Sequence, residues 1–480
     1  MPESTPSRAP ASPSAATAAS SATAAPAATA APAATAATVA SAPLAAPASI
    51  RPGELLRWAM FRALERLSDL RGNNTLGAFS VMPADASGPA LWFYVTTIGE
   101  LNAVAPMIEW LIAQRPDLRP VLITEHPHYR DAYLARLPQA VVCTSRGHSA
   151  DAARLARLLP PAMLAVAEIP CLPSEAPCRF SYAFLREARR HHAATLMLNG
   201  WLYHYDPPAR LDQLERRLLE RDFLNAFDVL CVQDAETARQ LEARGAARER
   251  LQVTGNMKFD AMRRADWGVE QATRSPRLLG HLLASARPIV VGGCVTELPE
   301  QRQVLGAFER LRRTHPDALL ILAPRHPENL ERMGELLAQL GEAGLRVTRR
   351  SQIEDAPLAA EVQCLVLDTV GELRDFYAAA TVAHVGVDHN VLEPLGLNKP
   401  LTIRGGWDTT YPSYPVYRLL RDRGVLHECD DEASMCDYWL AAIDGAPRIA
   451  EDLRRTEEAL ASMRGSVARH QAACAPRIGR

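Results

Sequence analysis

The chain has 480 residues, of which 48% are hydrophobic and 22% charged, and this length is sufficient for two globular domains with ordinary cores. Its 53 lysine and arginine residues nearly balance 55 aspartate and glutamate residues, so no general attraction to nucleic acid is expected. The nine cysteines form no CxxC pair, which argues against a zinc site or a disulfide framework and favours a reducing, cytoplasmic setting.

The first part of the chain, residues 1–50, consists almost entirely of alanine, proline, serine and threonine. Such small side chains bury too little apolar area to offset the entropy lost on ordering, so a disordered tail is predicted. The stretch has no basic start and no leucine-rich core, and prolines interrupt it throughout. These features argue against a signal peptide or a membrane span.

An amphipathic helix is predicted over residues 51–72, where apolar residues recur at helical spacing and arginine and acidic residues occupy the other side. Two interpretations are open. The apolar face packs on the following domain, or it lies on a membrane surface where the arginines meet anionic lipid. The predicted apolar residues are Leu56, Met60, Ala63, Leu64 and Leu67.

From Leu91 onward, short apolar runs alternate with amphipathic stretches, which is typical of parallel sheets with crossover helices. Seven candidate strands precede a polar lapse around residues 266–278, and six follow it. We therefore predict an α/β chain with two lobes, residues 88–265 and 280–445, and then a helical segment, residues 446–480. Ligands of such sheets bind beyond the carboxyl ends of the strands, so the residues after each strand are the site candidates.

The first candidate is Glu100 in TTIGEL, directly after a strand and at the start of a helix. A carboxylate in this place can act as a general base toward an acceptor hydroxyl. On local evidence alone, a first-turn glutamate favoured by the helix dipole is the simpler explanation.

The second candidate is Lys258 in VTGNMKFD, at the end of the first lobe. Gly255 permits a sharp turn, and Asn256 and Asp260 can tie that turn by local hydrogen bonds. Lys258 offers a cation near the cleft between the lobes, where it could bind an anionic donor. Taken singly, a lysine in a turn is usually a solvated surface residue.

The third candidate is the turn LAPRHPEN, which follows the apolar strand ALLIL. Pro324 and Pro327 stiffen this turn, so its polar side chains have little freedom to lose on binding. Those side chains are Arg325, whose planar fork suits phosphate or carboxylate, and His326. A structural salt bridge is the alternative, and the two flanking prolines favour a binding role.

Two further strand-end turns carry candidates. In DTVGEL, Thr369 and Glu372 have capping-box spacing, and Gly371 permits a phosphate to approach the backbone amides. The capping box by itself explains these residues. In HNVLEP, Asn390 and Glu393 have the same spacing, and Glu393 could instead accept hydrogen bonds from a ribose diol.

Taken together, TIGEL, VTGNMKFD, PRHPEN, DTVGELRDFY and HNVLEP resemble the Kdo (3-deoxy-D-manno-octulosonic acid) transferase family, from about Leu91 to Asp444. The resemblance implies a GT-B glycosyltransferase with two Rossmann-like parallel-sheet lobes and a cleft between them. It implies inverting transfer of Kdo or a similar acidic sugar from a CMP donor to a lipid A precursor or a lipopolysaccharide-type acceptor. It also implies a peripheral enzyme on the cytoplasmic face of the inner membrane that needs no cofactor.

The resemblance also implies roles for individual residues. Glu100 corresponds to the catalytic base. No DxD pair or histidine cluster suggests a divalent cation site, so metal-independent transfer is expected, with cationic side chains and helix N-termini stabilising the leaving group. The residues that correspond to donor-binding positions are Lys258, Arg325, His326, Gly371, Glu372, Leu373, Asn390 and Glu393.

The sequence departs from the family pattern in both lobes. The family's Ser-Thr-His triplet is replaced by Cys294, Val295 and Thr296. In the first lobe, Trp201 stands where an arginine is expected. These departures predict a divergent paralogue with an altered acceptor, and the residues predicted to bind that acceptor are Glu168, Asn199 and Trp201.

Two other functions share this architecture. A catalytically silent nucleotide-binding or assembly protein is the main alternative, suggested by the lost triplet and the missing arginine. A sugar-nucleotide epimerase shares the architecture but not this order of motifs. The joint presence of Glu100, Lys258, Arg325 and Glu393 favours the enzyme.

Overall fold

The computed structural model describes residues 52–70, 78–168, 177–202, 210–262, 274–369, 371–409 and 411–478. The predicted disordered tail, residues 1–50, lies outside the described residues. All of the described elements belong to one compact unit.

An eight-stranded sheet forms the first lobe, in the order β1-β4-β3-β2-β5-β6-β7-β8. All pairings are parallel except that of β1 with β4. The seven apolar runs predicted in this lobe all form strands, and β1 was missed because three residues carry no readable pattern. The strands are β1 Ser80–Met82, β2 Ala90–Tyr94, β3 Arg119–Thr124, β4 Val141–Thr144, β5 Pro161–Ala167, β6 Ala194–Gly200, β7 Val229–Val232 and β8 Leu251–Val253.

A seven-stranded, fully parallel sheet forms the second lobe, in the order β11-β12-β10-β9-β13-β14-β15. The six predicted strands are present, and β15 was missed because it contains only two polar residues. The strands are β9 Ile289–Gly293, β10 Leu319–Ala323, β11 Val347–Arg349, β12 Cys364–Val366, β13 Val382–Val385, β14 Leu401–Ile403 and β15 His427–Glu428.

Helices connect the strands and cover both faces of each sheet. Within the described ranges, no helix is both long and apolar enough to cross a bilayer. The helices are α1 Pro52–Leu70, α2 Ile98–Gln114, α3 Arg130–Arg136, α4 Ser149–Leu158, α5 Pro177–Arg190, α6 Arg210–Leu224, α7 Ala235–Ala243, α8 Pro276–Leu283, α9 Leu298–Leu311, α10 Leu330–Glu342, α11 Arg350–Ile353, α12 Leu373–Ala379, α13 Leu392–Gly396, α14 Tyr414–Asp422, α15 Glu432–Ile443, α16 Pro447–Met463 and α17 Ser466–Ile478.

The central strands are buried on both faces, which explains why they read as continuous apolar runs. All five residues of β2 are buried. Trp92 and Tyr94 belong to one apolar cluster, whereas Leu91 and Phe93 belong to the cluster on the opposite face. Each lobe is therefore a three-layer sandwich that leaves the carboxyl ends of its strands free to form a site.

The two C-terminal helices pack on different lobes. In α16, Leu460 and Met463 join an apolar cluster of the second lobe. In α17, Cys474 and Ile478 join a cluster of the first lobe that also contains Met257. The chain therefore crosses back to the first lobe between these helices, which the sequence prediction of one helical segment did not anticipate.

Helix α1 packs on the first lobe through a different side from the one its aliphatic residues predicted. Phe61 is 1% exposed and stacks on Trp58 with ring centroids 5.1 Å apart. Glu65, assigned to the polar side, is buried and accepts hydrogen bonds of 2.6 Å from the backbone and hydroxyl of Ser149. Leu56 is 65% exposed, which does not fit the packed interpretation at this position and leaves the membrane-facing interpretation open for it. The large aromatic rings gain more from burial than leucine does, and they determine the contact.

Replacing Phe61 by alanine should destabilise the protein by about 3–5 kcal/mol, since the substitution leaves a cavity beneath α1. Thermal and urea unfolding would measure the loss. Leu56→Ala is the matched control on the same helix, and its effect should stay within about 0.5 kcal/mol. Equal effects of the two substitutions would contradict the packing described for α1.

Candidate active site between the lobes

Glu100 lies in the first turn of α2, immediately beyond the carboxyl end of β2. Its carboxylate is buried and accepts two hydrogen bonds of 2.7 Å, from the backbone N–H and the hydroxyl of Thr96. Burial, and next the negative charge of Glu168, raise the pKa of the Glu100 carboxyl to about 7. A carboxylate with this pKa is a much stronger base than an exposed glutamate. Near neutral pH, Glu100 is ionised in a large fraction of the molecules and can accept a proton there.

A buried ion pair lies beside Glu100. Glu168 follows β5 with a positive φ of 60° and is 1% exposed. The Lys258 ammonium lies 2.9 Å from Glu168 Oε1 and 3.1 Å from Oε2, and Asn199 Nδ2 donates to Oε1 at 2.9 Å. The positive charge of Lys258 partly offsets the effect of Glu168 on the pKa of Glu100. In this structure, Glu168 and Asn199 contact protein groups, and their direct role toward an acceptor stays a prediction.

Much of the VTGNMKFD turn holds α17 in place. Asp260 accepts hydrogen bonds of 2.6 Å from the backbone N–H groups of Gly465 and Val467 at the start of α17. The prediction that the Asp260 side chain ties its own turn was therefore wrong, since its partners are more than 200 positions away. Asn256 does bond locally, because its Oδ1 accepts from the backbone N–H of Lys258 at 2.9 Å.

In the second lobe, Arg325 follows β10 and is exposed, in agreement with its predicted presentation by the turn. Its guanidinium lies 5.4 Å from the ring centroid of Tyr411, and its Nη1 is 3.5 Å from the Tyr411 hydroxyl. His326 is half exposed, and its Nδ1 lies 3.0 Å from Glu328 Oε1. The contact with Tyr411 orients Arg325 without neutralising it, which leaves its charge available to an anion.

The two sides of the site meet at residues 411 and 412. Lys258 Nζ, which belongs to the first lobe, lies 3.4 Å from the carbonyl oxygen of Pro412. Arg325 contacts Tyr411, the preceding residue. Lys258 and Arg325, which belong to different lobes, therefore contact adjacent residues, and the charge of Lys258 also acts to lower the pKa of Glu100. Sequence reasoning had missed both Tyr411 and Pro412, which carry no recognisable motif.

Glu372 is buried and accepts hydrogen bonds from Ser275 at 2.6 Å, from Arg350 at 3.1 Å and from the hydroxyl of Thr369. Burial tends to raise its pKa, but these hydrogen bonds and the charge of Arg350 outweigh it and lower the pKa. The predicted capping box was wrong: α12 begins at Leu373, and Thr369 donates to the carboxylate of Glu372. The Glu372 side chain therefore stabilises the turn through these hydrogen bonds.

The backbone of this turn remains a candidate for donor binding. Gly371 is exposed with a positive φ of 90°, and a Cβ placed on it would meet nothing within 4 Å. Leu373 packs against the apolar cluster of the second lobe. Gly371 therefore borders open space, and its donor contact stays a prediction.

The HNVLEP turn is tied locally, with a different geometry from the predicted cap. Asn390 Oδ1 accepts from the backbone N–H of Leu392 at 3.1 Å, and its Nδ2 lies 3.3 Å from Glu393 Oε1.

Burial, and then the charge of Glu393, raise the pKa of the nearby Cys294 thiol to about 12. The cysteine that replaces the family's serine is therefore a neutral thiol at physiological pH.

Trp201 is buried at the edge of a crevice between the lobes. The crevice is also lined by Asp234 of the first lobe and by Tyr414 and Arg418 of the second. Asp234 and Arg418 form an ion pair across it, with 3.2 Å between Oδ2 and Nη2. The tryptophan thus lies where the lobes approach each other. Over the described parts of the chain, no cluster of histidine, cysteine and acidic residues could hold a metal ion.

Part of the chain is similar to known sequences. Residues 71–261 match the family model described as 3-deoxy-D-manno-octulosonic-acid transferase (kdotransferase). The 3-deoxy-D-manno-octulosonic acid transferase of Chlamydia trachomatis is 26% identical over 331 residues, covering 65% of this chain and 69% of the relative. The Bordetella pertussis protein of the same name is 29% identical over 330 residues, covering 63% and 67%.

Solved structures share the architecture. A glycosyltransferase from Rickettsia africae matches with a TM-score of 0.51 and 8% identity, covering 81% of this chain and 97% of that one. The UDP-GlcNAc 2-epimerase of Neisseria meningitidis matches with a TM-score of 0.51 and 12% identity, covering 81% and 98%. At these identities, the likeness concerns the fold alone.

The two lobes, each built on a largely parallel sheet, form the GT-B fold. Among proteins of this fold, the sequence relatives are Kdo transferases. The chain resembles the Kdo transferase family, most clearly over residues 71–261.

Lys258→Met should destabilise the protein by on the order of 3 kcal/mol, because it leaves the buried carboxylate of Glu168 without its cation. The double variant Lys258→Met with Glu168→Gln should recover part of this loss, since no uncompensated charge remains. Urea unfolding of both single variants and the double variant would measure the coupling. Purely additive effects would contradict a buried ion pair.

Proposed function

We propose that this protein is an inverting transferase that moves Kdo or a similar acidic sugar from its CMP ester to a lipid-linked saccharide acceptor, without a metal ion. The observation that carries the proposal is the buried Glu100, whose pKa is raised to about 7 beside the Glu168–Lys258 ion pair, while Lys258 also contacts the second lobe, which carries Arg325. The names of the sequence relatives support the sugar, and the resemblance of the motifs supports the CMP ester.

Glu100 is the proposed base. The acceptor hydroxyl donates its proton to the Glu100 carboxylate while its oxygen attacks the anomeric carbon of the donor. The bond between that carbon and the phosphate oxygen breaks on the opposite face, and its electron pair leaves with CMP, so the configuration inverts. The raised pKa supports this role because a stronger base removes the hydroxyl proton more readily.

Arg325 is the proposed anchor for the donor. The donor carries a phosphate and a sugar carboxylate, and the Arg325 guanidinium offers a planar set of N–H donors at the exposed end of β10. The backbone around Gly371 and the turn of Asn390 and Glu393 are proposed to hold the remainder of the CMP portion, on the resemblance of their motifs. Lys258 is proposed to adjust the charge near the reacting groups, since it already pairs with Glu168.

The acceptor is proposed to be a lipid A precursor or a lipopolysaccharide-type saccharide at the cytoplasmic face of the inner membrane. Helix α1 supports a peripheral contact with a membrane. Its residues Leu55 and Leu56 are 54% and 65% exposed, and Arg62 and Arg66 are exposed on the same helix. Apolar residues and arginines at a helix surface suit the boundary of an anionic bilayer. The packed and the membrane-facing interpretations of α1 therefore apply to different sides of one helix.

The rate of transfer should rise with pH through about 7, since the base must be deprotonated to act and burial raises its pKa to that range. Glu100→Gln should lower kcat by about 10²–10⁴-fold. Glu168→Gln should move the acidic limb of the pH profile to lower pH, because it removes a negative charge that raises the pKa of Glu100. CMP release from CMP-Kdo across pH would measure both effects. The control is Glu331→Gln on the exposed start of α10, which should leave the profile unchanged, and full activity of Glu100→Gln would refute the assignment.

CMP should raise the melting temperature of the protein more than UDP or GDP does, because a ligand that binds only the folded state stabilises it. Arg325→Ala should weaken CMP binding by about tenfold or more, through loss of a charged hydrogen bond. Arg332→Ala, an exposed arginine in α10, serves as the matched control. Stabilisation by UDP alone would refute the donor class, and binding of CMP without turnover of any CMP-sugar would indicate a silent paralogue.

A further inference from the structure

Helix α17 brings a buried histidine to the edge of the site. His470 is fully buried, and its Nε2 lies 3.1 Å from the backbone nitrogen of Asn199 and 3.1 Å from the hydroxyl oxygen of Thr254. Its Nδ1 lies 2.8 Å from the carbonyl oxygen of Ser466, one turn earlier in α17. The imidazole thus connects the C-terminal helix to the ends of β6 and β8, more than 200 residues away in sequence.

The hydrogen bonds assign the tautomer of His470. A carbonyl oxygen can only accept, so Nδ1 carries the proton and donates it to Ser466. Nε2 is then an acceptor for the backbone N–H of Asn199. Burial lowers the pKa of His470 to about 4, in agreement with a neutral ring, and the charges that act on it are those of Arg469 and Asp260. The ring can therefore hold this backbone N–H throughout the neutral range of pH.

The Asn199 backbone has a left-handed conformation at the residue whose N–H donates to His470. Its φ of +57° places it in the left-handed region, which asparagine adopts more readily than most non-glycine residues. Its side chain donates to Glu168 Oε1 at 2.9 Å and accepts from the backbone N–H of Met257 at 2.9 Å. One residue therefore joins the end of β5 to the turn that carries Lys258.

The consequences extend to Glu100. Asn199 and Lys258 hold the carboxylate of Glu168, and the charge of Glu168 acts on Glu100. A displacement of the Asn199 backbone would shift both the negative and the positive neighbour of the proposed base. Such small displacements of catalytic groups are known to cost large factors in rate.

We propose that His470 is a positioning residue for the transfer reaction: its Nε2 holds the backbone of Asn199 in the conformation that places the Glu168–Lys258 pair beside Glu100. The proposal rests on the proposed function of Glu100. It gives α17 a role in activity in addition to its role in packing. Neither the local sequence around His470 nor the motif resemblance suggests this role.

Two isosteric substitutions separate positioning from packing. Glutamine places an acceptor oxygen near the position of Nε2, so His470→Gln retains an acceptor for the N–H of Asn199. Asparagine reaches only the position of Nδ1, so His470→Asn retains the donor to Ser466 and loses the acceptor. Each variant loses the hydrogen bonds of one of the two ring nitrogens, and their melting temperatures should fall by similar amounts.

Activity should distinguish the two variants. We expect kcat of His470→Asn to fall by on the order of ten- to a hundredfold, with the acidic limb of its pH profile displaced, whereas His470→Gln stays within about threefold of wild type. Hydrogen exchange followed by mass spectrometry should show faster exchange in the peptide containing Asn199 in the asparagine variant alone. Equal activity of the two variants, or losses that merely follow their melting temperatures, would overturn the proposal.

The exchange measurement also separates this proposal from the proposed function. If wild type turns over CMP-Kdo and the peptide containing Asn199 is equally protected in both variants, the positioning role of His470 is refuted and the transferase function stands. If exchange responds as expected and wild type turns over no CMP-sugar, the proposed function is refuted, and with it a role of His470 in transfer, while its hold on Asn199 is upheld.

Discussion

The buried ion pair between Lys258 and Glu168 is the interaction on which the site depends. A carboxylate that is 1% exposed is stable only with a close cation, and Lys258 supplies it at 2.9 Å. The pair stands beside Glu100, so its two opposite charges together adjust how readily Glu100 takes up a proton. Lys258 also reaches the carbonyl of Pro412 in the second lobe. One ammonium group thus links the electrostatics of the base to the contact between the lobes.

The return of α17 to the first lobe explains why the turn after β8 has its particular residues. Asp260 binds the N-terminus of α17, and a Cβ on Gly255 would lie 2.7 Å from the Arg469 side chain. His470 binds Thr254 and Asn199 from the same helix. Lys258 is the member of this turn that is directed to Glu168 instead. A motif that resembles a binding loop in sequence therefore combines one charged site residue with anchors for a distant helix.

The departures from the family pattern that the sequence predicts include Cys294 and Trp201. Cys294, where the resemblance predicts a serine, has a positive φ of 57° and a thiol whose pKa is raised by burial. Trp201, in place of an arginine, removes a positive charge from the first lobe and fills the edge of the interlobe crevice. Glu100, the proposed base, lies in the first lobe, and the exposed Arg325, the proposed donor anchor, lies in the second. Both proposed groups are therefore present, and the departures fall at other positions.

The sequence alone determined the two parallel sheets, because strands buried on both faces must be continuously apolar, and it determined that Glu100 and Arg325 follow strands. Only the tertiary structure decided which side of α1 packs on the first lobe. It also decided that Asp260 accepts a hydrogen bond at the start of α17, and that the Glu372 carboxylate accepts hydrogen bonds from Ser275 and Arg350. Apolar periodicity and turn chemistry are local properties that can be read along the chain. The partners of a buried polar group are chosen by three-dimensional proximity, and local spacing carries no record of them.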